Sequence, residues 1–267
     1  MKIQYFLVIL IFVSTSVGCS RNNPDTKLIN GKTPLDSIAN GEKDNNCISC
    51  QEYNKVNTQI LESRIDPSSA KNKIIELIPE ITTYFYALGG TASTKKEWVF
   101  PVKGYTATSI GGTNGSGFIA NGYNYYDGNM YKGHPAHDIF VRDWNQDCLD
   151  DLTHKPIEVV SVSNGIVVAC QPNWTSGNLI RAGKYIWIFD PAIESYFYFS
   201  HNDTIFVKPG DFVKAGQTIA WIGRTGNAAR KESPTHLHFA RFKLKNGDII
   251  PDNPYNDLKE CKTLNTQ

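Results

Sequence analysis

The spacing of apolar and polar positions divides the chain into a helical part and a β part. From about residue 52 to residue 88, apolar residues recur at helical spacing, and Pro67 and Pro79 interrupt the pattern, so we expect two helices. From about residue 97 onward, short runs rich in β-branched and aromatic residues alternate with turn signals. The pattern predicts a mainly β fold, an antiparallel sheet preceded by a short α-helical region.

The turn signals are clear enough to separate individual strands. Asn164-Gly165 predicts a tight hairpin between the two runs beside it, because Asn-Gly supplies the positive φ that such a turn needs. Asp190-Pro191 predicts a second turn between two aromatic strands. We predict strands at 98–102, 158–162, 166–170, 185–189, 196–201, 218–223 and 236–244.

The first 19 residues have the features of an export signal. Lys2 precedes an apolar run over residues 3–13, which is too short for a comfortable transmembrane span. Small residues then lead to Cys19, and this ending resembles the lipobox of bacterial lipoproteins, although Ser16 stands where Leu is usual. We expect an exported chain anchored to a bacterial membrane by lipid on Cys19. Ordinary cleavage nearby and an uncleaved anchor are the alternatives.

Composition suggests how the rest of the chain is organised. Residues 20–50 are polar and poor in aromatic residues, as in a flexible tether. The Gly89-Gly90 pair marks a boundary between a helical region at 51–90 and a separable β domain at 97–260. Export permits disulfides, so Cys47-x-x-Cys50 predicts a local disulfide or two free thiols rather than a redox centre. With 27 Lys and Arg against 26 Asp and Glu, the chain lacks the basic field needed to bind nucleic acid.

The candidate chemistry begins at His134 and Asp138, which lie four residues apart before an apolar run. Imidazole nitrogen and carboxylate oxygen both suit Zn²⁺, whose catalytic sites use three protein ligands and keep one position open. A straight strand would hold the two side chains about 13 Å apart. We therefore expect the chain to bend at Pro135-Ala136, with His137 facing away.

Five of the six histidines lie in only three places along the sequence. His201 ends an aromatic strand, and His236 and His238 are two apart on a later strand, where side chains i and i+2 share one face. Together with the first pair, they predict a metal site, although spacing alone does not say which histidines bind. The segment 104–132, with seven Gly, four Asn and five Tyr, predicts a loop that builds or covers this site.

These motifs resemble the lysostaphin-type or LytM-type zinc metallopeptidases, which cleave peptide bonds in bacterial peptidoglycan. The resemblance runs from about residue 98 to residue 254. It rests on W-V-F-P-V, the H-x-x-x-D stretch, V-V-S-V-S-N-G-I-V-V, Y-F-S-H, V-K-P-G-D-F-V-K-A-G-Q-T-I-A-W-I-G-R-T-G and H-L-H-F, in the same order and spacing. It implies a LytM-like fold, called a duplicated hybrid motif, and an endopeptidase acting on stem peptides, cross-links or a glycine bridge.

By motif position, the resemblance implies one Zn²⁺ per chain, bound by His134, Asp138 and His238, with His201 and His236 assisting as unliganded histidines. We expect Ser200 or Asp203 to orient His201. His137 is kept as an alternative ligand, because the family has an aliphatic residue there. The family also has an active-site tyrosine before the first ligand, for which Tyr126 and Tyr131 are the nearest candidates.

Two other classes of protein share parts of this pattern. A catalytically silent LytM-like regulator would bind cell-wall hydrolases through the same fold after losing ligands, but all five site residues are present here. A lipoyl-type carrier shares the turns of V-K-P-G-D-F-V-K-A-G-Q, but it would need a lysine at a hairpin apex and would carry no histidine cluster. The peptidase is therefore the first hypothesis and the regulator the alternative.

Overall fold

The computed structural model describes residues 46–130 and 132–265. The described residues belong to one compact unit, Asp44–Gln267. The predicted signal peptide, Cys19 and most of the tether lie outside the described residues. None of the helices in the described part is both long and apolar enough to cross a membrane.

Two helices follow each other at the start of the described chain, as the periodicity predicts. Helix α1 spans Ile48–Leu61, and helix α2 spans Pro67–Ala87. Asp66 caps α2 by accepting a hydrogen bond from the Ser69 amide, and Pro67 occupies the first turn, where its missing N–H costs nothing. Pro79 lies inside α2 and does not end it. A disulfide joins Cys47 and Cys50 at the start of α1, which confirms the local pairing.

Nine strands follow within the described residues, joined in one sheet with the central order β1-β8-β5-β4-β3-β6. β2 pairs with β7, β7 also pairs with β5, and β9 pairs with β8, all antiparallel. A short helix, α3 (Tyr255–Glu260), ends the fold. The strands are β1 (His137–Phe140), β2 (Glu158–Val160), β3 (Gly165–Gln171), β4 (Lys184–Asp190), β5 (Ser195–Ile205), β6 (Phe212–Val213), β7 (Thr218–Ile222), β8 (His236–Lys245) and β9 (Asp248–Pro251).

The predicted hairpin at Asn164-Gly165 is wrong. β2 pairs with β7, while β3 pairs with β4 and β6, so the two strands beside the turn are not partners. Gly165 does not adopt the positive φ that a tight Asn-Gly hairpin turn needs. The Asn164 side chain instead bridges to other segments, donating to the Thr91 carbonyl and accepting from the Ala215 amide. The turn therefore carries the chain from one pair of strands to another.

The predicted strand at 98–102 is reduced to single bridges. Val99 pairs with Lys262 and Val102 with Val159. Because the segment divides its hydrogen bonds between two partners, it does not form a regular ladder. The hairpin of β4 and β5 around Asp190-Pro191 and the strand β8 are confirmed.

The sheet is buried on both faces, which explains the unbroken aromatic run in β5. Tyr196 packs in one hydrophobic cluster together with α1 and α2, whereas Phe197 and Phe199 point into a second cluster on the opposite face. Successive side chains of a strand point to opposite faces, so such a run fills both cores at once.

Helix α1 is bound to the sheet by polar contacts as well as by apolar packing. Asn57 is buried, donates to the Tyr185 hydroxyl at 2.8 Å and accepts from the Tyr125 hydroxyl at 2.9 Å. Asn54 accepts from the backbone amide of Cys170 in β3 at 3.0 Å. Tyr53, Ile74 and Phe85 lie in the same cluster as the sheet residues. The helical region thus shares a core with the sheet, and the predicted independence of residues 97–260 stays a prediction.

Candidate metal centre

Three adjacent strands bring the candidate residues into one row. Asp138 of β1 lies opposite His238 of β8, and His238 lies opposite Ser200 of β5. Side chains at paired positions of neighbouring strands share a face of the sheet. His236 is two residues before His238 and shares that face, so one sheet surface carries all four side chains.

His134 joins the row from outside the sheet. Its backbone pairs with Ile119 in an isolated bridge, after Gly133 with φ of +78°. An added Cβ at Gly133 would lie 2.7 Å from two backbone carbonyl oxygens, so only glycine fits this approach. The chain thus bends before β1, and His134 Nε2 lies 3.2 Å from Asp138 Oδ1.

Three donor atoms face one another at this point. Asp138 Oδ1 lies 3.1 Å from His238 Nδ1 and 3.2 Å from His134 Nε2, and the ligand atoms of the three residues all lie within 4.8 Å of one another. Tetrahedral zinc with bonds of about 2.1 Å places its ligands about 3.4 Å apart. The spacing and the mixed nitrogen and oxygen donor set therefore fit a Zn²⁺ ion.

Backbone carbonyls fix the orientation of three imidazole rings. His134 Nδ1 contacts the Gly117 carbonyl at 2.8 Å, His201 Nδ1 the Thr225 carbonyl at 2.9 Å, and His236 Nδ1 the Pro234 carbonyl at 2.7 Å. Because a carbonyl oxygen only accepts, each Nδ1 carries the proton. The Nε2 atoms of these rings are left for other chemistry, as in histidines held for metal binding or proton transfer.

His201 and His236 lie beside the donor atoms without completing the cluster. The His201 ring centroid lies 5.0 Å from that of His236 and 5.6 Å from that of His238. His201 also has φ of +66°, a conformation that is strained for a residue other than glycine. Strain of this kind is retained where the surrounding structure holds the side chain for a task.

Burial and pairing separate the protonation states of these groups. Burial lowers the pKa of His201 well below its usual value and also lowers the pKa of His238. The hydrogen bond with Asp138 raises the pKa of His134. Burial would raise the pKa of Asp138, but the bonds from His134 and His238 outweigh it and hold that pKa well below its usual range. Asp138 is therefore an anion and His201 a neutral base.

The five residues line one cavity of about 230 Å³. The cavity is also lined by residues from the segment before β1, from the loop before β4, from β5 and from the loop before β8, and of these only Ser200 was expected near the site. These additional lining residues are Gly133, Arg181, Ala182, Tyr198, Ser200, Asn227, Ala228 and Ser233.

Several expectations about the surroundings of the site need correction. His201 is oriented by the Thr225 carbonyl and not by Ser200 or Asp203, because the bend after Ile222 brings residues 223–226 alongside the end of β5. Ser200 Oγ is buried and makes no hydrogen bond among the described residues. Tyr126 does not reach the cavity, because its hydroxyl donates to the Gly247 carbonyl. Tyr131 lies outside the described residues.

His137 faces away from the donor cluster, as the sequence predicts. It is fully buried, and its Nε2 contacts Asn253 Oδ1 at 2.9 Å. Its ring packs near Phe118 and Tyr255. The glycine-rich loop also has its predicted place beside the site, since it supplies the Gly117 carbonyl that holds His134.

Comparison with known proteins gives a family match for part of the chain. Residues 150–250 match the family model described as Peptidase family M23, which confirms the resemblance drawn from the motifs. The match includes His201, His236 and His238, whereas His134 and Asp138 precede it.

The relatives are distant and much longer than the matched region. Lysostaphin of Staphylococcus staphylolyticus is 33% identical over 106 residues, which are 40% of this chain and 20% of lysostaphin. The glycyl-glycine endopeptidase ALE-1 of Staphylococcus capitis is 28% identical over 138 residues, 52% of this chain and 35% of ALE-1. The chain thus matches about a fifth to a third of the length of these curated relatives. Among solved structures, the catalytic domain of lysostaphin from Staphylococcus simulans aligns with a TM-score of 0.35 at 22% identity, covering 64% of this chain and 98% of that domain.

Proposed function

We propose that this chain, whose residues 150–250 match the model of peptidase family M23, is a zinc-dependent endopeptidase that hydrolyses peptide bonds of peptidoglycan. One observation carries the proposal. The donor atoms of His134, Asp138 and His238 lie within 4.8 Å of one another, and two further histidines line the same cavity. Three protein ligands beside an open position are the arrangement of catalytic zinc sites.

Zinc held by His134, Asp138 and His238 would polarise the scissile carbonyl and make a water molecule acidic enough to lose a proton near neutral pH. His201 is the base in this proposal. Its Nδ1 proton is engaged with the Thr225 carbonyl, so the neutral ring presents a lone pair at Nε2. That nitrogen accepts the proton from water and returns it to the amine that leaves.

His236 has the complementary role of stabilising negative charge. Its Nδ1 donates to the Pro234 carbonyl, so its Nε2 donates a hydrogen bond when the ring is an imidazolium. Nε2 lies 3.6 Å from Asp138 Oδ1, so this nitrogen faces the donor cluster. From this position the ring stabilises the oxyanion that develops on the scissile carbonyl oxygen.

Substitutions separate the proposed ligands from the proton-handling residues. Replacing His134, Asp138 or His238 by Ala should remove both bound zinc and activity, because two protein ligands seldom retain catalytic zinc. Replacing His201 or His236 by Ala should leave zinc bound and lower the rate by a factor on the order of 10² to 10⁴. Zinc content is measured by atomic emission, and activity by mass analysis of muropeptides released from purified peptidoglycan.

His137→Ala is the matched control, because it removes a neighbouring histidine that faces the core. It should keep zinc and activity while losing stability. Zinc content that follows His137 or His236 would overturn the ligand assignment. Absence of muropeptide release by the wild type would exclude the enzyme and favour the silent regulator. Equal release by the wild type and the His201→Ala variant would overturn the role of His201 as the base.

We also propose that the mature chain is exported and attached to a bacterial membrane through lipid on Cys19. The proposal rests on the small residues and the cysteine that end the apolar run. Two or three acyl chains anchor firmly, since each buried CH₂ contributes about 0.8 kcal/mol. Cys19→Ser should move the protein out of the membrane fraction or stop its processing. The anchor would be contradicted if the Cys19→Ser variant stayed in the membrane fraction and showed the same mass difference between its precursor and mature forms as the wild type.

A further inference from the structure

Arg181 belongs to the candidate site, and its backbone is held in place. The residue lines the cavity that also contains His134, Asp138 and His238. Its backbone amide donates to Asn129 Oδ1 at 3.0 Å, and its carbonyl accepts from the Asn227 amide at 2.8 Å. The segment that carries Arg181 is therefore held from two sides.

Gly226 shows how closely the neighbouring loop approaches this segment. Its φ is +64°, and an added Cβ would lie 2.2 Å from the Arg181 carbonyl oxygen. Two residues farther back, Leu179 accepts a hydrogen bond from Asn129 Nδ2 at 2.8 Å. Because the backbone is fixed from both directions, only rotation about the side-chain bonds of Arg181 can move the guanidinium.

Few residues that line the cavity carry a formal charge, and Arg181 is one of them. Apart from the histidines, Asp138 and Arg181 are the lining side chains with a formal charge among the described residues. Asp138 is occupied by contacts with two histidines. With a divalent cation bound, the cavity carries a net positive charge that attracts an anionic substrate group.

A guanidinium is suited to one kind of partner in particular. Its fork of N–H groups matches the two oxygens of a carboxylate, and such charge-assisted pairs are stronger and more directional than neutral hydrogen bonds. A glycine bridge has no side-chain carboxylate to offer, whereas an acidic stem peptide has one on a side chain or at its end.

We propose that Arg181 binds a carboxylate of the peptide substrate beside the scissile bond, so that carboxylate-bearing stem peptides are preferred over an uncharged glycine bridge. This inference rests on the proposed endopeptidase function and adds the chemical class of its substrate. Arg181 is a specificity-determining residue in this scheme and takes no part in proton transfer.

The test uses four fluorogenic peptides of equal length. One carries a side-chain carboxylate, one a C-terminal carboxylate, one has both groups amidated, and one is a glycine peptide. For the wild type, kcat/KM should be at least about ten-fold higher for one carboxylate peptide than for the amidated peptide, as expected for one charge-assisted pair. The peptide that shows the preference identifies which carboxylate Arg181 binds.

Three variants show whether the preference belongs to Arg181. Arg181→Gln should lower the ratio of kcat/KM between carboxylate and amidated peptides to about one, and Arg181→Lys should restore part of it. Lys214→Gln removes the same charge from an exposed residue outside the cavity and should keep the wild-type ratio. A ratio that is unchanged in Arg181→Gln, or reduced equally in Lys214→Gln, would overturn the proposal.

A binding measurement separates this inference from the function on which it rests. Fluorescence anisotropy gives the affinity of the same peptides for a His201→Ala protein, with and without the Arg181→Gln change. A carboxylate preference that disappears with Arg181 supports the inference. If the wild type cleaves none of the peptides but binds them with this preference, the endopeptidase proposal fails and the carboxylate site stands. If the wild type cleaves all four peptides at similar rates, the endopeptidase proposal stands and the carboxylate site fails.

Discussion

Asp190 is a carboxyl group buried at the end of β4, only 1% exposed. Its Oδ1 accepts from the Ala192 amide at 3.0 Å, while Oδ2 has no hydrogen-bond partner among the described residues. Burial raises the pKa of Asp190 from 3.8 to about 6, and the nearby Ser163 and Ala192 only partly oppose this. The folded protein therefore holds this proton more tightly than the unfolded chain does.

The sign of the pH effect follows from that difference. Below about pH 4 the group is protonated in both states, and between about pH 4 and 6 the unfolded chain releases its proton first. The free energy of unfolding should fall across this window. Asp190→Asn imitates the protonated form, so it should raise the free energy of unfolding at pH 7 by about 1 to 3 kcal/mol and flatten its pH dependence. Urea unfolding at several pH values measures both effects.

Glu194→Gln is the control, since it removes an exposed carboxylate from the same turn. It should change the free energy of unfolding by less than about 0.5 kcal/mol. A lower stability of Asp190→Asn at pH 7 would show that the charged form is the better one in the folded protein.

At the scale of elements, the loop from Gly223 to Thr235 supports the site from one side. It supplies the Thr225 carbonyl to His201 and the Pro234 carbonyl to His236. Arg224 braces it by donating to the carbonyls of Ser233 and Arg230. The loop therefore sets the orientation of two imidazoles at once.

Gly226→Ala should disturb this loop strongly. An alanine there has an unfavourable positive φ, and its Cβ would meet the Arg181 carbonyl oxygen at 2.2 Å. We expect the free energy of unfolding to fall by more than about 2 kcal/mol and activity to fall with it, because His201 loses its orientation.

Gly177→Ala provides a matched comparison. Gly177 also has positive φ, +101°, but nothing lies within 4 Å of an added Cβ. This variant should show only the backbone cost, about 1 kcal/mol, with normal activity. Equal losses in the two variants would mean that backbone conformation alone, and not the contact with Arg181, decides the effect. Urea unfolding and peptide hydrolysis measure the two responses.

Sequence patterns predict elements better than they predict partners. The runs that became β4, β5, β7 and β8 are visible because each alternates or fills both cores, and their ends carry turn residues. Asn164-Gly165 has the same local signal as a hairpin, yet contacts with Thr91 and Ala215 decide its conformation. Those partners are distant in sequence, so no local pattern could reveal them.

The candidate site shows the same limit. Histidine occurs only six times in the chain, so its clustering is visible in the sequence, and the row formed by Asp138 and His238 follows once the strands are paired. The groups that orient the imidazoles are backbone carbonyls, which every residue possesses. Arg181 was likewise invisible, because a single arginine in a loop has no spacing to distinguish it.

At the scale of the whole molecule, the sequence and the structure give opposite expectations for a fragment of residues 94–267. The Gly89-Gly90 boundary predicts that this fragment folds and binds zinc as well as the longer chain. The shared core predicts a loss, because removing Tyr53, Ile74 and Phe85 exposes sheet residues that are buried against them. Each such side chain contributes about 1.5 to 3 kcal/mol when buried.

We expect the shared core to decide the result. The fragment should unfold at a clearly lower urea concentration than a chain starting at residue 44, which keeps the entire compact unit Asp44–Gln267. Circular dichroism follows unfolding, and zinc content reports on the site. Equal midpoints for the two proteins would establish the helical region as a separate domain.

The hydrogen bond from the Cys170 amide to Asn54 also covers part of a strand edge. In the part of the chain that the structure describes, β6 pairs with Gly165 and Ile166, and residues 210–211 bond to Val167, so the end of β3 beyond Val167 has no neighbouring strand on this side. Helix α1 lies against this side, and its Asn54 occupies the Cys170 amide. Uncovered strand edges recruit strands from other molecules and lead to aggregation. A chain that lost α1 would therefore expose this strand edge, and we expect its aggregation to increase with protein concentration.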